Sequence, residues 1–429
     1  MTMIRPETEM KDSGIQWLGN IPKEWSIIKG KYILKQLSRS VLESDNVVTC
    51  FRDGEVTLRS NRRELGFTNS LKEIGYQGVE PGDLVVHGMD GFAGAIGISD
   101  SRGKMSPIIN VLESGECKKY LMYYLRGLAF VNVFLGLSTG IRERSCDLRW
   151  NKLANLEYTI PPLSEQQAIA DYLDETCSKI DEIIAEAKAS IDEYKELKQS
   201  VIFEAVTKGL DKNVNVYKTG NSWIPSLPVG IKLSRFGLHH DIILGKMLCP
   251  NPRNEEDTLE PYYCAANVHF DGVTGVLKTM WFNSKEKETY VVHKNDMLIV
   301  EGGAGAGGAA IMNEEPPVST FVQNSIMIVR SHMKDNRYSC YLVQALVKNK
   351  YVDVVCNKAT IPHFTKEKVS YMPYPVFNRN ERNEIANYLD ERCKQIDSLI
   401  AEKESLIHDL EAYKKSLIYE VVTGKRRVA

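Results

Sequence analysis

A string of residues written twice constrains this chain more than any other feature. Ala170-Asp-Tyr-Leu-Asp-Glu-Thr-Cys-Ser-Lys-Ile-Asp181 returns as Ala386-Asn-Tyr-Leu-Asp-Glu-Arg-Cys-Lys-Gln-Ile-Asp397, displaced by 216 residues. At the same displacement, Lys198-Gln-Ser-Val-Ile-Phe-Glu-Ala-Val-Thr207 returns as Lys414-Lys-Ser-Leu-Ile-Tyr-Glu-Val-Val-Thr423. Upstream the likeness is fainter. Trp17 before Ile21-Pro22 matches Trp223 before Leu227-Pro228, and Gly82-Asp-Leu-Val-Val86 matches Asn295-Asp-Met-Leu-Ile299. The order is therefore globular part, helix, globular part, helix.

Both repeated segments carry a helical seam. Leu173, Cys177, Ile180, Ile184, Ala187, Ile191, Tyr194, Lys198, Val201 and Ala205 step by alternating four and three. Leu389, Cys393, Ile396, Ile400, Lys403, Ile407, Leu410, Lys414, Leu417 and Val421 repeat that step. A spacing of about 3.5 residues is the coiled-coil pattern. Ser164 with Gln167 predicts a capping box at the first start, and Gly209 and Gly424 stand where C-terminal caps belong. One such seam alone would suit a homodimer zipper. Two in one chain, separated by a whole domain, fit an intramolecular pair better. The predicted organisation is a first globular domain over 1–160, a helix in 161–211, a second globular domain over 212–372 and a helix in 373–429.

The globular parts read as mixed and strand-rich, with short apolar strands such as Asp83-Leu-Val-Val-His87 and Met297-Leu-Ile-Val300 entering Gly-rich turns. Net charge is −2, but it is uneven. The first helical segment carries 5 Lys/Arg against 12 Asp/Glu, whereas 1–160 and 212–372 are mildly basic. Such a surface predicts weak electrostatic affinity for DNA in the isolated chain. Residues 1–10 do not have the build of a signal peptide, no apolar run approaches the ~20 residues of a membrane helix, and nine cysteines without a CxxC pair suit a reducing cytoplasm. Gly303-Ala-Gly305-Ala-Gly-Gly308 matches GxGxxG formally, yet Gln323 holds the place of the ribose-binding acid and Glu314-Glu315-Pro316-Pro317 blocks the following helix. It reads as a tight turn. There is no Asn/Asp-Pro-Pro-Tyr stretch for a flipped adenine and no GxxxxGK[ST] loop for ATP. Asp171 with Glu186 and Lys188 spells a nuclease-like set but falls on a solvated helix face. His239, His240 and His293 lack partners at metal spacing, so no metal site is expected.

The chain resembles the specificity subunits of type I restriction–modification systems, along nearly its whole length. Asp12-Ser-Gly-Ile-Gln-Trp-Leu-Gly-Asn-Ile-Pro-Lys-Glu-Trp25 is similar to the opening of that family's first target-recognition domain. Ile160-Pro-Pro-Leu-Ser-Glu-Gln-Gln167, running into Ile169-Ala-Asp-Tyr-Leu-Asp174, is similar to its junction into the spacer helix, and Glu80-Pro-Gly-Asp-Leu-Val85 to its strand-turn element. The second junction departs from the pattern, with Tyr374-Pro-Val-Phe-Asn-Arg-Asn-Glu381 in place of Pro-Pro-Leu. The resemblance implies an α+β fold with two target-recognition domains in tandem repeat, joined by two long helices as an antiparallel coiled-coil spacer. It implies that each domain reads half of a split site on double-stranded DNA and that this subunit is not an enzyme and holds no cofactor. Two methyltransferase subunits would bring S-adenosylmethionine for adenine methylation, and two motor-nuclease subunits ATP and Mg. No membrane partner is implied.

For DNA contact the best cluster in the first half is Arg59, Asn61, Arg62 and Arg63, followed by Arg142 and Arg144. Arginine can donate two hydrogen bonds to guanine and asparagine can pair with adenine. In the second half Lys278, Asn357, Lys358, His363 and Lys366 are the candidates. Taken singly, each of these is more often a solvated side chain, and most contacts would be to phosphate. For the spacer, Leu173, Ile180, Ile184, Ile191, Leu389, Ile396, Ile400 and Ile407 are the seam. Two rival functions are a single-chain DNA methyltransferase with fused reader domains and a coiled-coil adaptor that reads no DNA.

Overall fold

The computed structural model describes residues 2–62, 74–136, 148–356 and 362–428. Its helices are α1 (Lys118–Phe130), α2 (Val133–Gly136), α3 (Trp150–Asn155), α4 (Leu163–Lys208), α5 (Ser284–Tyr290), α6 (Arg337–Lys348), α7 (Tyr351–Val355), α8 (Lys366–Ser370) and α9 (Arg379–Val422). The repeated strings fall on α4 and α9, of 46 and 44 residues. Both run uninterrupted because no proline or glycine enters their interiors. Both end where a left-handed glycine follows, Gly209 at φ 75° and Gly424 at φ 73°. The first start corrects the predicted cap. Helix α4 begins at Leu163, the Pro162 carbonyl accepts the Gln166 N–H, and Ser164 lies inside the first turn. The second start has a true capping box: Asn378 Oδ1 accepts from the Glu381 N–H while Glu381 Oε2 accepts from the Asn378 N–H.

The chain forms two compact units, Met1–Lys188 with Glu404–Ala429 and Ala189–Lys403. Each unit thus holds part of both long helices. In the first, Leu173 and Cys177 of α4 share a core with Leu417, Ile418 and Val421 of α9, and with Tyr120 and Tyr124 of α1. In the second, Leu389 and Cys393 of α9 share a core with Ile202, Ala205 and Val206 of α4 and with Tyr338 of α6. Within each unit the two helix segments run antiparallel. Lys414 Nζ donates to Asp181 at 2.6 Å in the first, and Lys198 Nζ donates to Asp397 at 2.7 Å in the second. Leu173, Ile180, Ile184, Ile191, Leu389 and Ile396 are buried, whereas Ile400 and Ile407 are half-buried.

The same frame recurs in both units. The first has a four-stranded antiparallel sheet in the order Ile96–Ile98, Leu84–His87, Ile109–Ser114, Leu34–Gln36. The second has Ala309–Ile311, Met297–Val300, Ile326–Ser331, His240–Leu244 in the same order. A two-stranded ribbon leads into each long helix: Ser26–Lys29 pairs with Glu157–Ile160, and Lys232–Arg235 with Pro373–Val376. Even the polar anchors repeat. Tyr120 Oη donates to the Thr159 and Val422 carbonyls, and Tyr338 Oη to those of Pro375 and Val206. Each tyrosine therefore meets one of the unpaired carbonyls in the last turn of a long helix.

The resemblance motif Glu80-Pro-Gly-Asp83 turns out to be structural. Gly82 and Asn295 both adopt positive φ, a region that glycine and asparagine tolerate. Asp83 then accepts the Glu80 N–H and pairs with Arg39, just as Asp296 accepts the His293 N–H and pairs with Arg330.

The units differ in their second layer. The first has hairpins Val48–Cys50 with Val56–Leu58 and Gln77–Val79 with Gly103–Met105. The second instead has a three-stranded sheet of Lys278–Phe282, Thr258–Tyr263 and Phe321–Val322, with α5 attached. Close backbone packing in the first unit makes one glycine testable. A Cβ on Gly97 would lie 1.9 Å from the Gly54 carbonyl oxygen. The second unit holds Ala310, buried, at the matching position. Gly97→Ala should therefore destabilise the first unit by about 1–3 kcal/mol through overpacking, read as a lower denaturation midpoint. An unchanged midpoint would show that the sheet gives way freely.

Candidate nucleic-acid interface

The predicted basic cluster of the first unit follows the Val48–Cys50/Val56–Leu58 hairpin as a short 3-10 turn, Arg59–Asn61. Its side chains are engaged by that hairpin. Arg59 Nε donates to Thr49 Oγ1 at 3.3 Å, and Asn61 Nδ2 to Thr57 Oγ1 at 2.8 Å. Arg62 bonds Asp53 at 2.6 Å, lies 3.1 Å from Glu55, and covers the Phe51 ring at 4.3 Å. Two carboxylates offset the Arg62 charge, so its first role is to hold the hairpin. Arg63 lies outside the described residues, as do Arg142, Arg144, Asn357 and Lys358.

In the second unit the described candidates do not form one cluster. Lys278 begins a strand of the three-stranded sheet and is exposed. His363 belongs to the other sheet's margin, where it forms a bridge with Gly302 and its Nδ1 lies 3.3 Å from Glu301. Lys366 is the exposed first residue of α8, whose N-cap is Thr365.

A correspondence between the units is more telling than either cluster. After strand Leu84–His87 the chain turns through Gly94 at φ 95°, and after Met297–Val300 through Gly307 at φ 85°. The Gly-rich stretch is therefore a strand-to-strand turn, followed by strand Ala309–Ile311 rather than a nucleotide-binding helix. At each turn a second segment joins. The Leu148 N–H donates to the Gly88 carbonyl at 2.7 Å, and the Phe364 N–H to the Glu301 carbonyl at 2.6 Å. Residues 137–147, with Arg142 and Arg144, and 357–361, with Asn357 and Lys358, immediately precede these two matching points in sequence. Basic residues of both halves thus fall on the same connection of the repeat.

The histidines have structural settings. His240 is buried, stacked 3.8 Å from Phe236, with Nδ1 2.9 Å from the Phe236 carbonyl and Nε2 2.8 Å from Ser339 Oγ. Burial pulls its pKa down to about 4. His293 pairs with Glu315. Among the described residues no group of three or more His, Cys, Asp or Glu could hold a metal. Nor is any described helix long and apolar enough to cross a membrane.

Sequence reasoning missed a polar cluster that occurs once in each unit. Lys119 Nζ and Tyr123 Oη of α1 both donate to Asp174, at 2.5 and 2.7 Å. Arg337 Nη1 and Tyr341 Oη of α6 both donate to Asp390, at 2.8 Å each. The carboxylates belong to the repeated string. Their partners lie outside it, and only the shared 218-residue spacing of the two Tyr/basic pairs could have revealed them.

No protein-family model matches the chain. A protein of Methanocaldococcus jannaschii described as the MjaX type I restriction enzyme specificity subunit is 24% identical over 369 residues, covering 84% of this chain and 77% of its own. A chain from a structure that addresses complex assembly and conformational transition of the type I restriction–modification system aligns with a TM-score of 0.71 at 14% identity, covering 94% of this chain and 99% of that one. The HsdS subunit from Thermoanaerobacter tengcongensis aligns with a TM-score of 0.53 at 14% identity, over 94% and 98%. In sequence over most of its length, and in fold over nearly all of it, this chain is similar to the specificity subunits of type I restriction–modification systems.

Proposed function

We propose that this chain is the non-catalytic specificity subunit of a type I restriction–modification complex and reads a bipartite site on double-stranded DNA, one half per unit. The observation that carries the reading is a constant frame bearing a changed surface. Sheet order, ribbon and helix junction repeat between the units, while the second layer and the basic residues differ. That is what two half-sites of unrelated sequence require from one scaffold. Two methyltransferase subunits with S-adenosylmethionine would modify adenine, and two motor-nuclease subunits would use ATP and Mg, all in the cytoplasm. Base contacts would come from the connections at 137–147 and 357–361 and from Lys278, with phosphate contacts supplying most of the affinity.

Exchanging residues 212–372 for the matching part of another such subunit should change one half of the methylated motif and spare the other. The motif is read from genomic DNA carrying the reconstituted system. A change in both halves would mean that the units do not read independently. Methyl transfer by the purified chain alone would instead favour a fused methyltransferase.

A further inference from the structure

The polar clusters at Asp174 and Asp390 each form part of the wall of an open cleft, and each cleft lies wholly within its own unit. The first cleft lies among α1 and the paired segments of α4 and α9. The second lies among α6, the equivalent helix segments and the loop at Phe270–Gly272. Among the described residues, two side-chain polar atoms are buried without a hydrogen-bond partner: Arg126 Nε and Gln199 Oε1. Arg126 lines the first cleft and Gln199 the second. Leaving such an atom unpaired costs on the order of 1–3 kcal/mol. That both fall at equivalent clefts marks these as unfinished surfaces. The first lacks an acceptor and the second a donor, and the amide of an extended peptide carries both.

Charge tells the clefts apart. In the first, Asp53, Asp174, Asp181 and Glu182 face only Arg126 and Lys414. In the second, Lys198 and Arg337 are matched by Asp397 and Asp390. There remain Lys195, Lys348 and Lys394, against Asp271 alone. Lys348 is exposed and covers the Phe270 ring at 5.3 Å, and Lys394 is exposed on α9. Ile202, Ile311, Ile400 and Phe270 give this cleft an apolar lining.

We propose that the second-unit cleft docks an extended, acidic segment of a partner protein. A backbone N–H of the segment donates to Gln199 Oε1, its carboxylates meet Lys348 and Lys394, and an apolar side chain rests on Phe270 and Ile311. The first-unit cleft, built on the same frame with a surplus of acid, rejects that segment. A nucleic-acid backbone suits the lysines but not the rest of the wall. Its phosphates would face Asp271, Asp390 and Asp397, and it has no apolar side chain for the lining. The proposal does not depend on the chain reading DNA.

The test uses the full chain and a fluorescein-labelled peptide of alternating glutamate and leucine, about twelve residues long, against the same peptide with lysine for glutamate. Fluorescence anisotropy should show the glutamate peptide binding at least about tenfold tighter, more so at low salt. Lys348→Glu with Lys394→Glu should abolish that preference, whereas Glu182→Lys in the first-unit cleft should not lower it. Circular dichroism confirms that the variants are folded. Equal binding of the two peptides, no binding of either, or a preference that survives the double charge reversal overturns the proposal. So does competition by duplex DNA whose own binding disappears with the same reversal, which would assign the cleft to nucleic acid.

Discussion

Leu173→Ala should destabilise the first unit by about 2–5 kcal/mol and leave the second nearly intact, and Leu389→Ala should do the reverse. The two leucines stand 216 residues apart on the same repeated string and are both fully buried. Leu173 packs in the core that joins α4 and α9 to α1, and Leu389 in the core that joins α9 and α4 to α6. Removing a buried leucine side chain loses its transfer free energy and leaves a cavity, and the sum falls in this range. A leucine on the solvent face is the contrast. Leu399 is exposed on the same helix, and Leu399→Ala should cost well under 1 kcal/mol. Because the chain has two units, a single melting temperature would blur the outcome. Amide hydrogen exchange resolves it. Leu173→Ala should speed exchange in Lys118–Phe130 and spare Arg337–Lys348, with the opposite pattern for Leu389→Ala. Equal loss of protection in both helices would mean that the long helices couple the units into one cooperative block.

The long helices, their seams and their glycine stops were legible because each rests on local spacing, and because every signal appeared twice. The strand-turn motifs were visible as well, although their aspartates work within the turn, by capping and by pairing with arginine. Legibility failed where partners are distant in sequence. Counting charges marked Arg62 as a DNA contact, but Asp53 and Glu55 across the hairpin already hold it. The Ser164–Gln167 pattern looked like a cap, but the helix starts at Leu163. Gln166 is the anchoring residue instead: its Nε2 donates to the Pro161 carbonyl and its Oε1 accepts the Cys117 N–H. The real capping box, Asn378 with Glu381, sat inside the stretch read only as a departure from the family's pattern. The paired clefts were out of reach of any reading by periodicity, since Tyr123 and Asp174, or Tyr341 and Asp390, meet only after folding.

Acid should weaken the second unit through one imidazole. His240 begins the outer strand His240–Leu244, where it pairs with Ser331, and the first unit places Leu34 opposite Ser114 at the same position. A frame that accepts leucine there offers a neutral ring an apolar site, with one hydrogen bond at each nitrogen from Phe236 and Ser339. Around it stand Tyr374, His239, Arg382 and His332, and the charges of the last three disfavour a second proton. In the unfolded chain the ring titrates near 6.5, and in the folded chain at about 4. Between those values the unfolded state holds a proton that the native state refuses. Stability is therefore intact above about pH 6.5 and falls as pH drops towards 4, levelling off below. A shift of roughly 2.5 units corresponds to about 3 kcal/mol at full effect. His239, whose pKa burial also lowers, adds loss of the same sign. Carboxylates titrate in this range too, so the measurement is a difference. Denaturant unfolding of the native chain and of His240→Gln, followed by exchange in Arg337–Lys348, should give stabilities whose gap narrows by about 3 kcal/mol between pH 7 and pH 4. Parallel pH profiles would show that His240 accepts its proton in the folded state without penalty, and that the Phe236–Ser339 setting does not select the neutral ring.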